Sequence, residues 1–241
     1  MRGLITAIRT LTVLPLPGKD AERYSSALYF FPLVGGLIGL VVYGAVRLVA
    51  DGLHWPLGAG VACVAVSALI SGGLHLDGLA DVFDSMGGRT RERKLEIMKD
   101  PRIGSFGVIA LVIVLLAKFG AAIELVNPDK YWLFVLPYVI SRTLQVAFVV
   151  CLPYARREGT AQPFVEGARA IHLIVALIIG AALCFLVARW MGLVFLGVSM
   201  VPLAGLILWM RKVYGGVTGD LIGMGSEMIE IFVFICLVVH L

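Results

Sequence analysis

Seven apolar stretches, each near the roughly 20 residues an α-helix needs to cross a bilayer, dominate this chain. They lie at 27–50, 57–76, 104–126, 131–153, 170–189, 191–210 and 226–241. The sixth follows the fifth through a very short turn, and the seventh is short and carries two acids, so six to eight spans bound the count. Of the 241 residues 60% are hydrophobic and the mean hydropathy is +0.97, which excludes an ordinary water-soluble domain. With no water in the hydrocarbon to satisfy backbone groups, stretches of this length must be helical. The expected fold is all-α: a polytopic integral membrane helix bundle of about seven spans, forming one domain over residues 1–241.

Charge placement gives the chain an orientation. Lysines and arginines number four before the first span, six between the second and third, three between the fourth and fifth, and two between the sixth and seventh. That puts fifteen of the twenty on one side. The opposite side and the spans share Arg47, Lys118, Lys130, Arg142 and Arg189. The positive-inside rule then predicts a cytoplasmic N-terminus and an external C-terminus. Arg9 interrupts the first apolar run and Leu14-Pro15-Leu16-Pro17 replaces a small-residue cleavage site, so residues 2–14 read as an amphipathic surface segment, not a signal peptide. Cys63, Cys151, Cys184 and Cys236 lie in apolar stretches without paired spacing and read as small hydrophobes.

The polar residues that matter most begin at Gly72-Gly73-Leu74-His75-Leu76-Asp77. On a helix, Asp77, Asp81 and Asp84 (i, i+4, i+7) share one narrow stripe about 10 Å long. Acids at a helix end can serve as dipole partners. Three on one stripe beside lipid are costly unless they serve a site, and a cation between them removes their mutual repulsion. Hard oxygen ligands suit Mg²⁺. After a Gly87-Gly88 break, a second helix is expected from Arg91 to Lys99, ended by Asp100-Pro101. Gly104 and Gly107 would let backbone amides approach a phosphate or a neighbouring helix. The segment 211–225 is too glycine-rich for a plain helix and too apolar for a solvated loop, and it reads as a non-helical pocket wall.

A second acidic stripe, Asp220, Glu227 and Glu230, opens the last span. Two stripes converging from two helices make a clamp for one or two Mg²⁺ ions. Lys99, Arg102, Arg142, Arg156 and Arg157 are available for phosphate oxygens, the arginines in bidentate fashion. Arg142, inside an apolar span, should face the acidic site or the substrate. His75, one turn from the aspartates, reads equally as a substrate contact or a satisfied core histidine. This much predicts a metal-dependent membrane phosphotransferase with its site facing the cytoplasm.

Three runs then carry a resemblance. Gly72-Gly-Leu-His-Leu-Asp-Gly-Leu-Ala-Asp81, Leu95-Glu-Ile-Met-Lys-Asp100-Pro-Arg-Ile-Gly-Ser-Phe-Gly107 and Gly215-Gly-Val-Thr-Gly-Asp220 resemble the cobalamin synthase (adenosylcobinamide-GDP ribazoletransferase) family. Tyr29-Phe-Phe-Pro-Leu-Val-Gly35, Ser141-Arg142 and Pro153-Tyr-Ala-Arg156 match as well. The resemblance implies a multi-pass inner-membrane enzyme that joins adenosylcobinamide-GDP to α-ribazole or its 5′-phosphate and releases GMP. It implies no nucleic-acid partner and is compatible with an oligomer. The candidate residues are then Asp81 and Asp84 as catalytic groups. Asp77, Asp81, Asp84, Asp220 and Glu227 are expected to ligate Mg²⁺, with Lys99, Asp100, Arg102, Gly104, Arg142, Arg156 and His75 around the substrates. The aspartate pattern is also similar to that of the CDP-alcohol phosphotransferases, without their full signature. A phospholipid synthase of that type is the alternative enzyme, and a transporter of cations or corrinoids the alternative of another class.

Overall fold

A computed structural model describes residues 1–240, all of them helical or in short connections. Helix α1 (Arg2–Leu11) is followed by a 3₁₀ segment, Tyr24–Phe30, that runs into α2 (Phe31–Arg47) and a closing π-helical turn at Leu48–Gly52. Then come α3 (Pro56–Ile70), α4 (Leu74–Ser85), α5 (Arg91–Ile97) and α6 (Ser105–Glu124). The chain finishes with α7 (Leu136–Cys151), α8 (Gln162–Glu166), α9 (Ala170–Val198), α10 (Met200–Tyr214) and α11 (Gly219–His240).

Five helical stretches are long and apolar enough to cross a membrane, and six if α3 and α4 are taken together across their 89° bend. The longest, Ala170–Tyr214, has 45 residues, about 67 Å of helix against roughly 30 Å of hydrocarbon. It is not one rod. Ala188 and Arg189 leave helical geometry, Arg189 at φ +53°, and Gly192 comes back against the backbone of Cys184. The Arg189 guanidinium covers the Phe185 ring at 5.6 Å and holds the reversal. Counted as two passes, this hairpin brings the total to seven, with the short turn where the sequence places it. Outward side chains such as Ile113, Leu116, Leu186, Val201 and Leu208 are exposed and apolar, as lipid contact requires. The chain is a multi-pass membrane protein.

One face of the bundle gathers the polar connections. Gly104, before α6, contacts Asp84 of α4; Val217, before α11, pairs with residues 153–155 after α7. Tyr214 at the end of α10 bonds Ser85 at 2.7 Å, and Phe164 of α8 packs on Phe31 at the start of α2. Basic side chains join these connections: Arg91 reaches the Ala155 carbonyl and Arg211 that of Cys151, both at 3.5 Å. Helix α4 leaves α3 at the 89° bend because Gly72 (φ +60°) and Gly73 (φ +70°) turn the chain through a conformation only glycine adopts without strain.

The centre of the bundle is α7, buried from Leu136 to Val149 against α2, α9 and α11. Roughly 12–17 Å along α11 from its start, four charges meet in this interior. Lys118 of α6 donates to Glu227 and Glu230, both at 2.6 Å, while Arg142 of α7 reaches Glu230 at 3.1 Å and Ser226 at 2.6 Å. All four charged residues are at most 3% exposed. Two cations and two anions cancel, so the group ties α6, α7 and α11 together without net charge in the membrane.

The segment 211–225 differs from expectation. Helix α10 runs to Tyr214, Gly215 closes it at φ +71°, and α11 starts at Gly219, so 219–225 is helix and the last span begins seven residues early. Its glycines serve packing: a Cβ on Gly225 would stand 2.6 Å from the Phe148 ring.

Candidate active site

The site is organised around a close crossing of α4 and α11. A Cβ on Gly78 would stand 2.8 Å from Cα and 2.7 Å from the carbonyl oxygen of Asp220, so only a glycine permits this approach. One turn on, Gly223 returns the fit against the backbone of His75. The crossing sets Asp77 and Asp81, on either side of Gly78, beside Asp220 in the first turn of α11. Thr218 caps α11 by accepting the Leu221 amide at 3.2 Å, and its hydroxyl reaches Asp220 Oδ2 at 3.4 Å.

A cation is delivered to this acidic group by the connection after α7. Val217 donates to the Pro153 carbonyl and Ala155 donates to the Val217 carbonyl, both at 2.8 Å, forming a two-residue parallel bridge. That pairing carries Arg156 to Asp220, Nη2 to Oδ2 at 2.8 Å. Asp81 sits half-buried among these charges. Burial first, then the charges of Asp77 and Asp220, push its carboxyl up to about 7, although Arg156 pulls the other way.

Asp81→Asn should therefore raise the melting temperature of the metal-free protein. An acid whose pKa is raised by folding destabilises the fold in its ionised form. The gain opens as pH rises above the ordinary carboxylate range and levels off above about 7. A variant that melts at or below the wild type at pH 8 would contradict this electrostatic reading.

Asp84 has a different task. Its two oxygens accept the amides of Gly104 at 2.6 Å and Gly107 at 2.8 Å, so it caps the N-terminus of α6 from the neighbouring helix. Asp84, expected as a catalytic group and metal ligand, is thus engaged by the start of α6, and the Gly104 amide, expected near substrate, is taken up by Asp84. Glu227 is likewise engaged: its carboxylate is held by Lys118, two turns below Asp220. Arg142 faces Glu230 and Ser226, not the aspartates. Arg102 grips its own neighbour Asp100 at 2.9 and 2.7 Å in an exposed turn, holding that carboxyl down to about 2, and neither residue joins the acidic group. The residues brought together are Asp77, Asp81, Asp220, Arg156 and His75. Gln145, hydrogen-bonded to His75 at 3.2 Å, was not singled out in the sequence.

Two cavities draw on this group for their linings. One, about 260 Å³, is lined by Asp77, Asp220, His75 and Gln145 with apolar walls that include Phe31 and Phe164. The other, about 480 Å³, is polar and open, lined by Lys99, Arg156 and Arg157 with Glu92, Glu96 and Glu158. Arg156 and Asp220, joined by their ion pair, stand one in each lining.

Comparison with known proteins decides the family. The sequence profile described as cobalamin-5-phosphate synthase matches residues 3–238. The chain belongs to the cobalamin-5-phosphate synthase family. It is 45% identical to an adenosylcobinamide-GDP ribazoletransferase of Chlorobaculum tepidum, over 98% of this chain and 94% of that protein. A protein of the same name from Chlorobaculum parvum is 46% identical over 97% and 94%, and one from Geotalea daltonii 36% identical over 99% and 97%. No solved structure matches.

Within this member of the family, the residues bear directly on metal binding. Among the described residues, no three acidic, histidine or cysteine side chains converge as an all-protein cage would demand. Mg²⁺ makes no such demand, since it keeps several waters and binds through one or two carboxylates plus substrate phosphates. Asp77 and Asp220, oxygen-only donors in the lining of one cavity, would supply the one or two carboxylates that such an ion takes.

Proposed function

We propose that this chain joins adenosylcobinamide-GDP to α-ribazole, or to its 5′-phosphate, and releases GMP, acting from the cytoplasmic face of the inner membrane. The observation that carries the reading is the group of Asp77, Asp81 and Asp220 beside Arg156 at the α4–α11 crossing, where an apolar cavity bearing Asp77 and Asp220 adjoins, through the Asp220–Arg156 pair, an open cleft of mixed charge. The names of the relatives above support the choice of substrates.

The chemistry is a displacement at phosphorus. A ribose hydroxyl oxygen attacks the phosphorus on the cobinamide side of the pyrophosphate. A new P–O bond forms, the bond to the GMP phosphate breaks, and the hydroxyl proton must leave. Asp81, whose carboxyl titrates near neutrality, takes that proton. Arg156, with Lys99 and Arg157 in the same cleft, holds the charge of the pyrophosphate and the departing GMP. Asp77 and Asp220 would hold Mg²⁺, which when bound neutralises phosphate charge. A nucleotide substrate and the basic face both require this side of the bundle to be cytoplasmic.

Sealed membrane vesicles of both orientations, given adenosylcobinamide-GDP, α-ribazole and Mg²⁺, test substrate and sidedness together. Inside-out vesicles should release GMP and a cobalamin in equal amounts, and right-side-out vesicles should release neither until permeabilised. Release of CMP from a CDP-alcohol in place of GMP would assign the protein to phospholipid synthesis. Turnover confined to intact right-side-out vesicles would reverse the orientation.

A further inference from the structure

Two residues that line the apolar cavity each carry a buried polar atom that the fold leaves without a partner. His75 is 2% exposed and Gln145 3%. Gln145 Nε2 lies 3.2 Å from His75 Nε2; with the amide nitrogen turned to the ring, as placed here, the imidazole accepts and its neutral form carries the proton on Nδ1. That Nδ1 and Gln145 Oε1 are buried and make no hydrogen bond within the protein, although both residues line the cavity. A buried donor and a buried acceptor left unmade are costly, and a ligand that satisfies both removes the cost.

We propose that this cavity is the acceptor subsite and seats a bicyclic aromatic base. A ring nitrogen with a free lone pair accepts from His75 Nδ1, and a sugar hydroxyl donates to Gln145 Oε1. The inference rests on the function proposed above, and it names which cavity takes which substrate. A benzimidazole nucleoside fits on three counts. Its base is flat and apolar, like the walls formed by Leu11, Phe31, Val149 and Phe164. Its one free ring nitrogen is an acceptor with no competing donor. The volume, about 260 Å³, lies just under the roughly 300–1,000 Å³ of sites for whole drug-sized ligands, and is far too small for a corrin ring. The guanine nucleotide belongs elsewhere, because its phosphates need cations. The apolar cavity has none in its lining and carries Asp77 and Asp220, whereas the open cleft presents Lys99, Arg156 and Arg157 alongside Glu92, Glu96 and Glu158. With the substrates so divided, the acceptor hydroxyl meets the pyrophosphate at the Asp220–Arg156 pair.

Steady-state kinetics of the protein in lipid nanodiscs test this with His75→Phe and Gln145→Leu. Each should raise KM for α-ribazole about tenfold or more, since a site built for a hydrogen bond loses it, and leave KM for adenosylcobinamide-GDP unchanged. A second measurement avoids dependence on those buried positions. Thr160 is exposed and lines the same cavity. In a Cys151→Ser background, maleimide labelling of Thr160→Cys should slow roughly tenfold at saturating α-ribazole without any GDP ester, and GDP should give no protection. An unchanged α-ribazole KM in both variants, or protection by GDP instead of α-ribazole, overturns the assignment while the function stands. Failure of the function itself looks different: the wild type then consumes no adenosylcobinamide-GDP, whatever α-ribazole does to the labelling.

Discussion

Replacing Lys118 by methionine should destabilise the protein by about 3–5 kcal/mol, because it strands Glu227 and Glu230 in the membrane interior with only Arg142 to answer them. Each glutamate now accepts from Lys118 at 2.6 Å in a region that no water shell can reach by side-chain rotation. The expectation has a sharper second half. Lys118→Met combined with Glu227→Met removes one charge of each sign and leaves the Arg142–Glu230 pair intact, so it should recover most of the lost stability. Thermal unfolding in detergent reads both. A double variant as unstable as the sum of its singles would mean that packing, not charge balance, holds α6 to α11.

The second large effect is on chemistry. Asp77→Asn and Asp220→Asn keep side-chain size and remove a carboxylate charge at the cavity mouth. Losing several kcal/mol of transition-state charge stabilisation corresponds to about 10²–10⁴-fold in turnover. The melting temperature of the metal-free protein should hold or rise in Asp77→Asn, since its lost charge relieves Asp81, while Asp220→Asn also gives up the ion pair with Arg156. Single-turnover measurements of GMP release, alongside thermal unfolding, separate the two. Near-normal turnover in Asp220→Asn would remove α11 from the reaction. A collapse of stability in both variants would make the aspartates structural.

Much of this molecule is legible from hydropathy. The short turn between the fifth and sixth apolar stretches becomes the Ala188–Arg189 reversal, and the helix carrying Asp77, Asp81 and Asp84 runs over Leu74–Ser85. Spacing along one helix reports a shared face, but not which members a neighbouring element will claim. Asp84 lies on the same stripe as Asp81, yet the amides of Gly104 and Gly107 engage it. The signal was present: a glycine-rich helix start with no side-chain cap of its own needs an acceptor from elsewhere. Glu227 is likewise claimed by a neighbouring element. Lys118 and Arg142 interrupt two apolar spans, and two buried cations call for two buried anions at similar depth, which Glu227 and Glu230 supply. Matching those charges by depth, before grouping acids by helix face, separates Glu227 from Asp220.

Glycine misled in one place. Gly219, Gly223 and Gly225 suggested irregular backbone, whereas a helix packed against His75 and Phe148 needs small residues to let its neighbours in. Local propensity yields there to tertiary contact, and the same contact sets Asp220 beside Asp77.

The claim at the centre of this account is that the carboxylates at the α4–α11 crossing, and not the acids buried below them, hold the catalytic ion. Mn²⁺ in place of Mg²⁺, titrated into the protein in nanodiscs and followed by electron paramagnetic resonance, reads this directly. Wild type and the Lys118→Met/Glu227→Met double variant should bind the ion alike, while Asp77→Asn and Asp220→Asn weaken it about tenfold or more. Undiminished binding in Asp220→Asn, or its loss in the double variant, would place the ion elsewhere and contradict the account.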